Sequence, residues 1–406
     1  MNVVVTSFGS DGDFNPLLAI AAALVRRGAA VTFVANPFYE RRVTSVGCRF
    51  VGAGAFYDLF ATLAANPRYL RVPTGLVAIW NELAVPSIRD TYPVVCDTVR
   101  DVGATVVVSH VGSFGGAWAA VRTGARSVVV TTSASGWMSR HQPIVWGNWR
   151  APRIVQSALT VAVRRVGGAV LRRTVRRLAR ELRAPMVPDI IREADLNLGV
   201  WPEWFRATAP DDPPHSRTCG FVFDAVDAAA PLPPELETFL ASGDAPVIAG
   251  FGSAASLHGA DRYRAVASAC DRLGLRCVLI GASAAAVRSS ANVMVVASAP
   301  YARVFPAASV LVHHGGFGTC AEALRAGKPS LVTPFAFDQF DTAARVHDAG
   351  LGCWLKGDAT DADLIATRLD AMVRRSPGGA APRTAAAQIA GDPSGADRAA
   401  ELIAAL

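Results

Sequence analysis

One ten-residue stretch limits the possible folds of this chain more than any other: His313-His314-Gly315-Gly316-Phe317-Gly318-Thr319-Cys320-Ala321-Glu322. The apolar run Ala308-Ser309-Val310-Leu311-Val312 precedes it, and the helix-forming run Ala321-Glu322-Ala323-Leu324-Arg325 closes it. That order predicts a buried strand, a glycine-rich turn and a helix start. The first amides of a helix have no partner inside it, and the macrodipole adds roughly half a positive charge there. Gly316 and Gly318 let backbone approach an anion closely, so the turn suits a phosphate. His314 and Thr319 stand beside those amides as donors to phosphate oxygens. Glu322, about one helical turn on, is placed to accept from ribose hydroxyls. A second loop, Pro334-Phe335-Ala336-Phe337-Asp338-Gln339, ends in two polar groups suited to sugar hydroxyls. A bare glycine turn is only a tight loop. With these residues at these spacings, the reading is a nucleotide-sugar site.

The rest of the chain repeats the strand–turn–helix alternation, which is the pattern of α/β sheets covered by helices. Val3-Val4-Val5 opens it, followed by Gly9-Ser10-Asp11-Gly12-Asp13 and a helix from about Asn15 to Arg27. Strands follow at 30–34, 105–108, 127–131 and 196–200. Residues 205–246 carry seven prolines and read as a linker. A second alternation then begins at Pro246–Ser253, with a helix near 260–273 and strands at 276–280, 293–296 and 310–312. Each half opens with an apolar strand running into Phe-Gly-Ser, at 8–10 and 251–253. The expected fold is therefore two Rossmann-like, doubly wound domains facing across a cleft. We place them at residues 1–215 and 216–385, with a final helix at 386–406 that can pack back on the first domain. Ligands in such sheets lie beyond the carboxyl ends of the strands.

With 406 residues, two domains are the default. The net charge of +7 comes from 40 basic and 33 acidic residues, and Lys328 and Lys356 are the only lysines. A skew to arginine without a clustered patch gives no nucleic-acid footprint. Seven cysteines without a CxxC spacing suggest neither a metal site nor a disulfide framework, and a reducing compartment is expected. The start Met1-Asn2-Val3-Val4-Val5-Thr6 lacks a signal-peptide pattern, and no uncharged apolar window reaches about 18 residues. A cytoplasmic protein is expected, as monomer or homodimer.

The segment His313–Gln339 with Arg345-Val346 resembles the signature of the family 1 glycosyltransferases of the GT-B fold. Gly9-Ser10-x-Gly12-Asp13-x-x-Pro16 is similar to the N-terminal loop of their bacterial branch, which includes macrolide, glycopeptide, sterol and rhamnolipid glycosyltransferases. The resemblance covers nearly the whole chain. It implies an inverting transfer of a sugar from a nucleoside diphosphate, without metal or cofactor, to a hydroxyl of a small acceptor. It places phosphate contacts on His314, Thr319 and Ser253, a ribose contact on Glu322, and donor-sugar contacts on Asp338 and Gln339. Such donors take over the stabilisation of the departing diphosphate. Two positions depart from the family: Ser298-Ala299-Pro300 stands where relatives have Trp-x-Pro, and Thr342 where they have asparagine. Glu322 favours a UDP-sugar, because a ribose 2′-hydroxyl gives it a partner. A dTDP-deoxysugar such as rhamnose, delivered to a hydroxy-fatty acid lipid, is the alternative. A nucleotide-sugar epimerase and an inactive activator partner are weaker readings, since the phosphate-site residues are all retained.

An attacking hydroxyl needs a base. Asp13 reads as that base and equally as a helix cap. His110, after the strand Val106-Val107-Val108-Ser109, falls where plant relatives carry the aspartate that orients a catalytic histidine. The expectation is a dyad of Asp13 and His110, with a pocket-lining histidine as the plainer reading. Phe56, Tyr57, Trp80, Trp137, Met138, Trp146 and Trp149 are candidates for a hydrophobic acceptor pocket, suited to a natural product or lipid. Arginines from Arg164 to Arg183, interleaved with Val163, Val166, Val170, Leu171 and Leu178, read either as a solvated helix face or as a peripheral membrane contact.

Overall fold

The computed structural model describes residues 1–70, 74–187, 189–223, 230–252, 259–283, 285–375 and 379–406. Its first sheet has seven parallel strands: β1 (Asn2–Thr6), β2 (Ala30–Ala35), β3 (Arg49–Gly52), β4 (Val106–His110), β5 (Arg126–Thr131), β6 (Leu196–Gly199) and β7 (Ser216–Thr218). Their spatial order is β3-β2-β1-β4-β5-β6-β7. The second sheet has six: β8 (Val247–Gly250), β9 (Cys277–Ile280), β10 (Val293–Val296), β11 (Val310–His313), β12 (Ser330–Val332) and β13 (Gly352–Trp354), ordered β10-β9-β8-β11-β12-β13. Every pairing is parallel. The central strands are short valine-rich runs because helices cover both faces of a parallel sheet. Val3, Val4, Val5, Val107 and Val108 are fully buried accordingly.

Each sheet reverses its winding once, between β1 and β4 and between β8 and β11. A crevice opens beyond the strand ends at such a switch point. Thr6 is paired with Ser109 there in the first sheet, and His313 with Gly250 in the second. The residues following those four strands are thereby aimed at the cleft.

Helix α1 (Asp11–Arg26) follows β1 and starts four residues before the expected Asn15. A capping box explains the difference: the Ser10 N–H donates to Asp13 Oδ2, and the Ser10 side chain sits on the N3 position. Pro16 is tolerated inside the helix, although it reads as a starting residue in sequence. Helices α2 (Val85–Val102) and α3 (Phe114–Thr123) pack on the sheet, and α4 (Arg153–Glu181) runs for 29 residues along the outside. By length and composition α4 is apolar enough to cross a membrane, a property missed by a search for uncharged windows because two arginines interrupt it. In the second domain α5 (Ala260–Leu273) falls where expected. It is followed by α6 (Phe317–Arg325) and α7 (Gln339–Asp348).

Two boundaries differ from the sequence reading. β7 pairs with β6, Ser216 opposite Asn197, so the first sheet reaches Thr218, past the boundary at 215. The tail divides at 391–395. Helix α8 (Ala380–Gly391) packs on α6 in the second domain. Helix α9 (Gly395–Ala404) returns to α1, burying Ala399, Ala400 and Ile403. Arg26 reaches Asp397 at 2.9 Å and Arg27 reaches Glu401 at 2.7 Å. The two chain crossings between domains touch: a Cβ at Gly395 would lie 2.3 Å from the carbonyl oxygen of Phe221.

An apolar seam joins the domains. Phe317 of α6 meets Trp201, Phe205 and Phe221 at ring separations of 6.2, 5.7 and 5.8 Å. Behind it, Arg206 is fully buried and forms two hydrogen bonds of 2.5 Å to Asp212. The guanidinium lies 5.3 Å from the centre of the Trp137 ring. Removing one partner leaves an uncompensated buried charge, at a cost of about 3–5 kcal/mol. Asp212→Ala is therefore expected to lower the unfolding midpoint in denaturant by that much free energy. A change within about 0.5 kcal/mol, the range of ordinary surface substitutions, would contradict the role given to the pair.

Candidate active site

Asp13 stands in the first turn of α1, just beyond the end of β1. His110 is the last residue of β4 and is 7% exposed. His110 Nδ1 accepts from the Gly112 N–H at 3.2 Å, which leaves the proton on Nε2. Nε2 lies 3.3 Å from Asp13 Oδ1 and 3.1 Å from the hydroxyl of Thr132, the residue following β5. The Thr132 hydroxyl donates to Asp13 Oδ1 at 3.1 Å. Asp13 Oδ2 accepts from the Ser10 N–H at 2.9 Å and from the Ser10 hydroxyl at 3.2 Å. Burial pushes the Asp13 carboxyl up, but His110, Ser10 and Thr132 together outweigh it and hold it below the ordinary range. The two residues expected to touch do so, with Asp13 the more open of the pair at 31% against 9% side-chain exposure. Gly9 adopts a φ of +134° that side chains avoid, and a Cβ there would lie 2.2 Å from Asp13 Oδ2.

The opposite wall is the end of β11. His313 is buried, and its Nδ1 accepts from the Gly315 N–H at 3.1 Å, which bends the chain into the turn. Gly315 has φ +88°, and a Cβ on Gly316 would meet His314 Nε2 at 2.3 Å. Nothing lies within 4 Å of a Cβ on Gly318, so the helix end faces open space at that position. Cys320 makes the first bond inside α6, to the Gly316 carbonyl at 2.9 Å. The amides of Phe317, Gly318 and Thr319 thus have no carbonyl within the helix. His314 is pushed down to about 4 by burial and by the Arg262 charge, so its imidazole is neutral at pH 7. Its Nδ1 is buried without a partner among the described residues.

Arg262 escaped the sequence reading. It sits on α5, donates to the Thr333 carbonyl at 3.0 Å, and lies 5.1 Å from the centre of the Phe335 ring, which itself stacks on His314 at 5.9 Å. No sequence pattern marks it, because the helix reads as an ordinary amphipathic one. Tyr301 is a second such residue. It follows Ser298-Ala299-Pro300, and its hydroxyl would be 2.6 Å from a Cβ on Gly250 at the end of β8. Glu322 pairs with Arg325 at 2.5 Å. The Gln339 carbonyl oxygen accepts from the Phe335 and Ala336 amides at 3.0 and 3.1 Å, so that end of the side chain holds the loop. Ser253 lies outside the described residues.

Asp338 faces the first domain, where Ser133 and Asp13 act on its carboxyl. Burial first, and the Asp13 charge with it, pushes Asp338 up to about 6.

A cavity of about 270 Å³ opens beside Gly9, lined among others by Asn36, Tyr39, Tyr57, Glu82 and Asp90. It is more polar than the aromatic pocket expected from sequence. Trp137 does not line it: the ring is 1% exposed, donates to Thr131 at 3.1 Å and packs on Trp201. Trp80 packs edge-on against Phe114 in the core of the first domain. Phe56 is 68% exposed, against Phe38. Trp146 is half-buried beside Val145, whose N–H donates across the domains to Asp341 at 3.1 Å. Met138 offers its carbonyl to Arg164, and Trp149 is exposed. Only Tyr57 of those candidates touches the cavity, because indoles this large are drawn into seams where they displace the most water.

Comparison with known proteins fits this architecture. Residues 281–405 match the family described as erythromycin biosynthesis protein CIII-like, C-terminal domain. The dTDP-epi-vancosaminyltransferase of Amycolatopsis orientalis is 28% identical over 382 residues, covering 91% of this chain and 89% of its own length. A sterol 3-beta-glucosyltransferase of Leptosphaeria maculans is 33% identical over 171 residues, which are 38% of this chain but only 11% of that protein. The crystal structure of the glycosyltransferase of kitacinnamycin superposes with a TM-score of 0.74 at 19% identity, covering 100% of this chain and 98% of that one, which establishes the shared fold. The match to the erythromycin biosynthesis protein CIII-like, C-terminal domain family thus covers residues 281–405, and the whole chain shares the two-sheet fold of the kitacinnamycin glycosyltransferase.

The Asp338 carboxyl yields a test of the cleft's electrostatics. A folded value of about 6 against 3.8 means that this group adds stability below pH 3.8 and loses it as pH rises through 6. Asp338→Asn removes that loss. The melting temperature of the variant minus that of the wild type is expected to rise across this window and level off above it. A difference independent of pH would show that Asp338 ionises as freely in the fold as in the unfolded chain.

Proposed function

We propose that this protein transfers a sugar from a nucleoside-diphosphate donor to a hydroxyl of a natural-product acceptor, with inversion at the anomeric carbon. The observation that carries this reading is the opposition of two prepared walls. The hydrogen-bonded Asp13–His110 pair stands at one switch point, and the open helix end with His314 and Thr319 stands at the other.

Chemically, the acceptor oxygen attacks the anomeric carbon as the bond to the diphosphate breaks. Its proton passes to Asp13, the more open member of the pair. A carboxyl held below its ordinary range is ionised at neutral pH and free to accept. His110 acts behind it, because its Nε2–H faces Asp13 and its Nδ1 is engaged by the backbone. The leaving diphosphate gains negative charge, which the α6 amides, Thr319, His314 and Arg262 meet without reorganising. Asp338 and Gln339 border the space for the sugar, and the cavity beside Gly9 holds the acceptor.

A thymidine diphosphate donor is supported by the relative that aligns along nearly all of this chain and bears the name of a dTDP-sugar transferase. Glu322, one turn into α6, favours the second reading of a uridine donor, whose ribose offers a 2′-hydroxyl. A ligand that binds only the folded state raises stability with the logarithm of its concentration over its dissociation constant. Melting curves with dTDP and with UDP at equal concentration therefore separate the two, the larger shift marking the donor base. Arg262→Ala is expected to shrink the shift and His314→Ala to shrink it further. Asp13→Asn should keep the shift in full while turnover of the donor with a panel of macrolide and sterol acceptors falls by about 10²–10⁴-fold. Wild-type turnover by Asp13→Asn would remove the base from this scheme. Failure of both nucleotides to shift the protein would remove the donor site.

A further inference from the structure

We propose that helix α4 docks this protein on a surface of anionic lipid. The first half of the helix is built inside out. Its protein-facing stripe is polar: Gln156 donates to the Ala151 carbonyl at 3.0 Å, and Thr160 accepts from the Ile144 N–H at 3.1 Å. One turn on, Arg164 donates to the Met138 carbonyl at 2.9 Å and reaches Asp211 at 3.3 Å. The outward stripe is apolar, with Ile154 79%, Val155 46%, Val166 66% and Val170 61% exposed. At about 100° per residue, Val155, Val166 and Val170 fall within roughly 60° of one another around the helix axis and make one strip, while Ile154 stands about 100° away from Val155. Burial of apolar surface drives folding, and a helix that turns its valines outward and its threonine inward keeps that drive unused within the monomer.

Charge selects the occupant of the face. Between Arg153 and Arg183 stand nine arginines and one acid, Glu181, which already pairs with Arg89 at 2.7 Å. Arg165, Arg173, Arg176 and Arg177 are exposed, and among the described residues only Arg177 has an acid acting on it, Glu181. A valine strip that Arg173 and Arg177 continue along the same face, with Arg165 and Arg176 beside it, matches the boundary between headgroups and acyl chains, where the stems lie in the apolar layer and the guanidiniums meet phosphates. The helix lies along such a surface and does not span it, because Gln156, Thr160 and Arg164 tie its inner face to the first domain. Its length, about 43 Å at 1.5 Å per residue, gives an extended line of contact. The docking itself does not depend on the sugar-transfer reading.

The experiment is co-sedimentation of the full chain with phosphatidylcholine vesicles, with and without phosphatidylglycerol, at low and high salt. Binding is expected only with phosphatidylglycerol and is expected to weaken as salt rises. Replacing Arg165, Arg173, Arg176 and Arg177 by glutamine should weaken binding by roughly a thousandfold. Val166→Asp with Val170→Asp should abolish it. Both sets of positions are exposed, so an unchanged melting temperature certifies each fold. Three outcomes overturn the proposal: no sedimentation with any vesicle; binding that survives both variants; or a dimer in size-exclusion chromatography that Val166→Asp with Val170→Asp dissolves, which would assign the band to a second copy of the chain.

Discussion

The carboxylate of Asp13 is the point on which the first half of this molecule converges. Its two oxygens draw donors from three places: the turn before α1, the end of β4 and the residue after β5. Burial works against the charge, and only that set of contacts makes it tenable. The same contacts fix the start of α1, the tautomer of His110 and the spacing between the ends of β1 and β4. A capping interaction and a chemical group are thus one object here. The conflict between the two readings of Asp13 dissolves: the cap supplies the donors that keep the group ionised.

The second domain solves the complementary problem. It prepares positive potential without building a dense cluster of cations. Amides at the start of α6, an uncharged imidazole and one arginine stacked on Phe335 share the task. Asp338 enters the same cleft from the second domain and is protonated more readily because it is buried and, to a smaller extent, because Asp13 stands across from it. Closure of the cleft and the charge state of its walls are therefore coupled.

Much of this was legible in sequence because it depends on short-range patterns. Valine runs marked the central strands, and the glycine spacing before Thr319 marked the turn and helix start after β11. The position of His110 at the end of a strand gave the pairing with Asp13. Elements of three or four residues, such as β7, β12 and β13, left no periodicity to read. Arg262 and Tyr301 were invisible for a different reason: they reach the cleft through tertiary packing from elements that look ordinary. Of the aromatic candidates only Tyr57 lines the cavity, and the same ground explains the others. Composition says that a tryptophan is present, whereas only packing says whether it lines a cavity or fills a seam, as Trp137 does.

The contact between the two interdomain crossings sets the mechanics of the cleft. Backbone at Gly220 and Phe221 lies directly against Gly395, with no side chain between them. Two threads passing through one place act as a pivot pin: the halves can swing about it, but they cannot slide past each other or separate. A swing about such a pin carries Asp13 and His314 along opposed arcs. The gap between Asp13 and the glycine turn that starts α6 is then governed by a single angle.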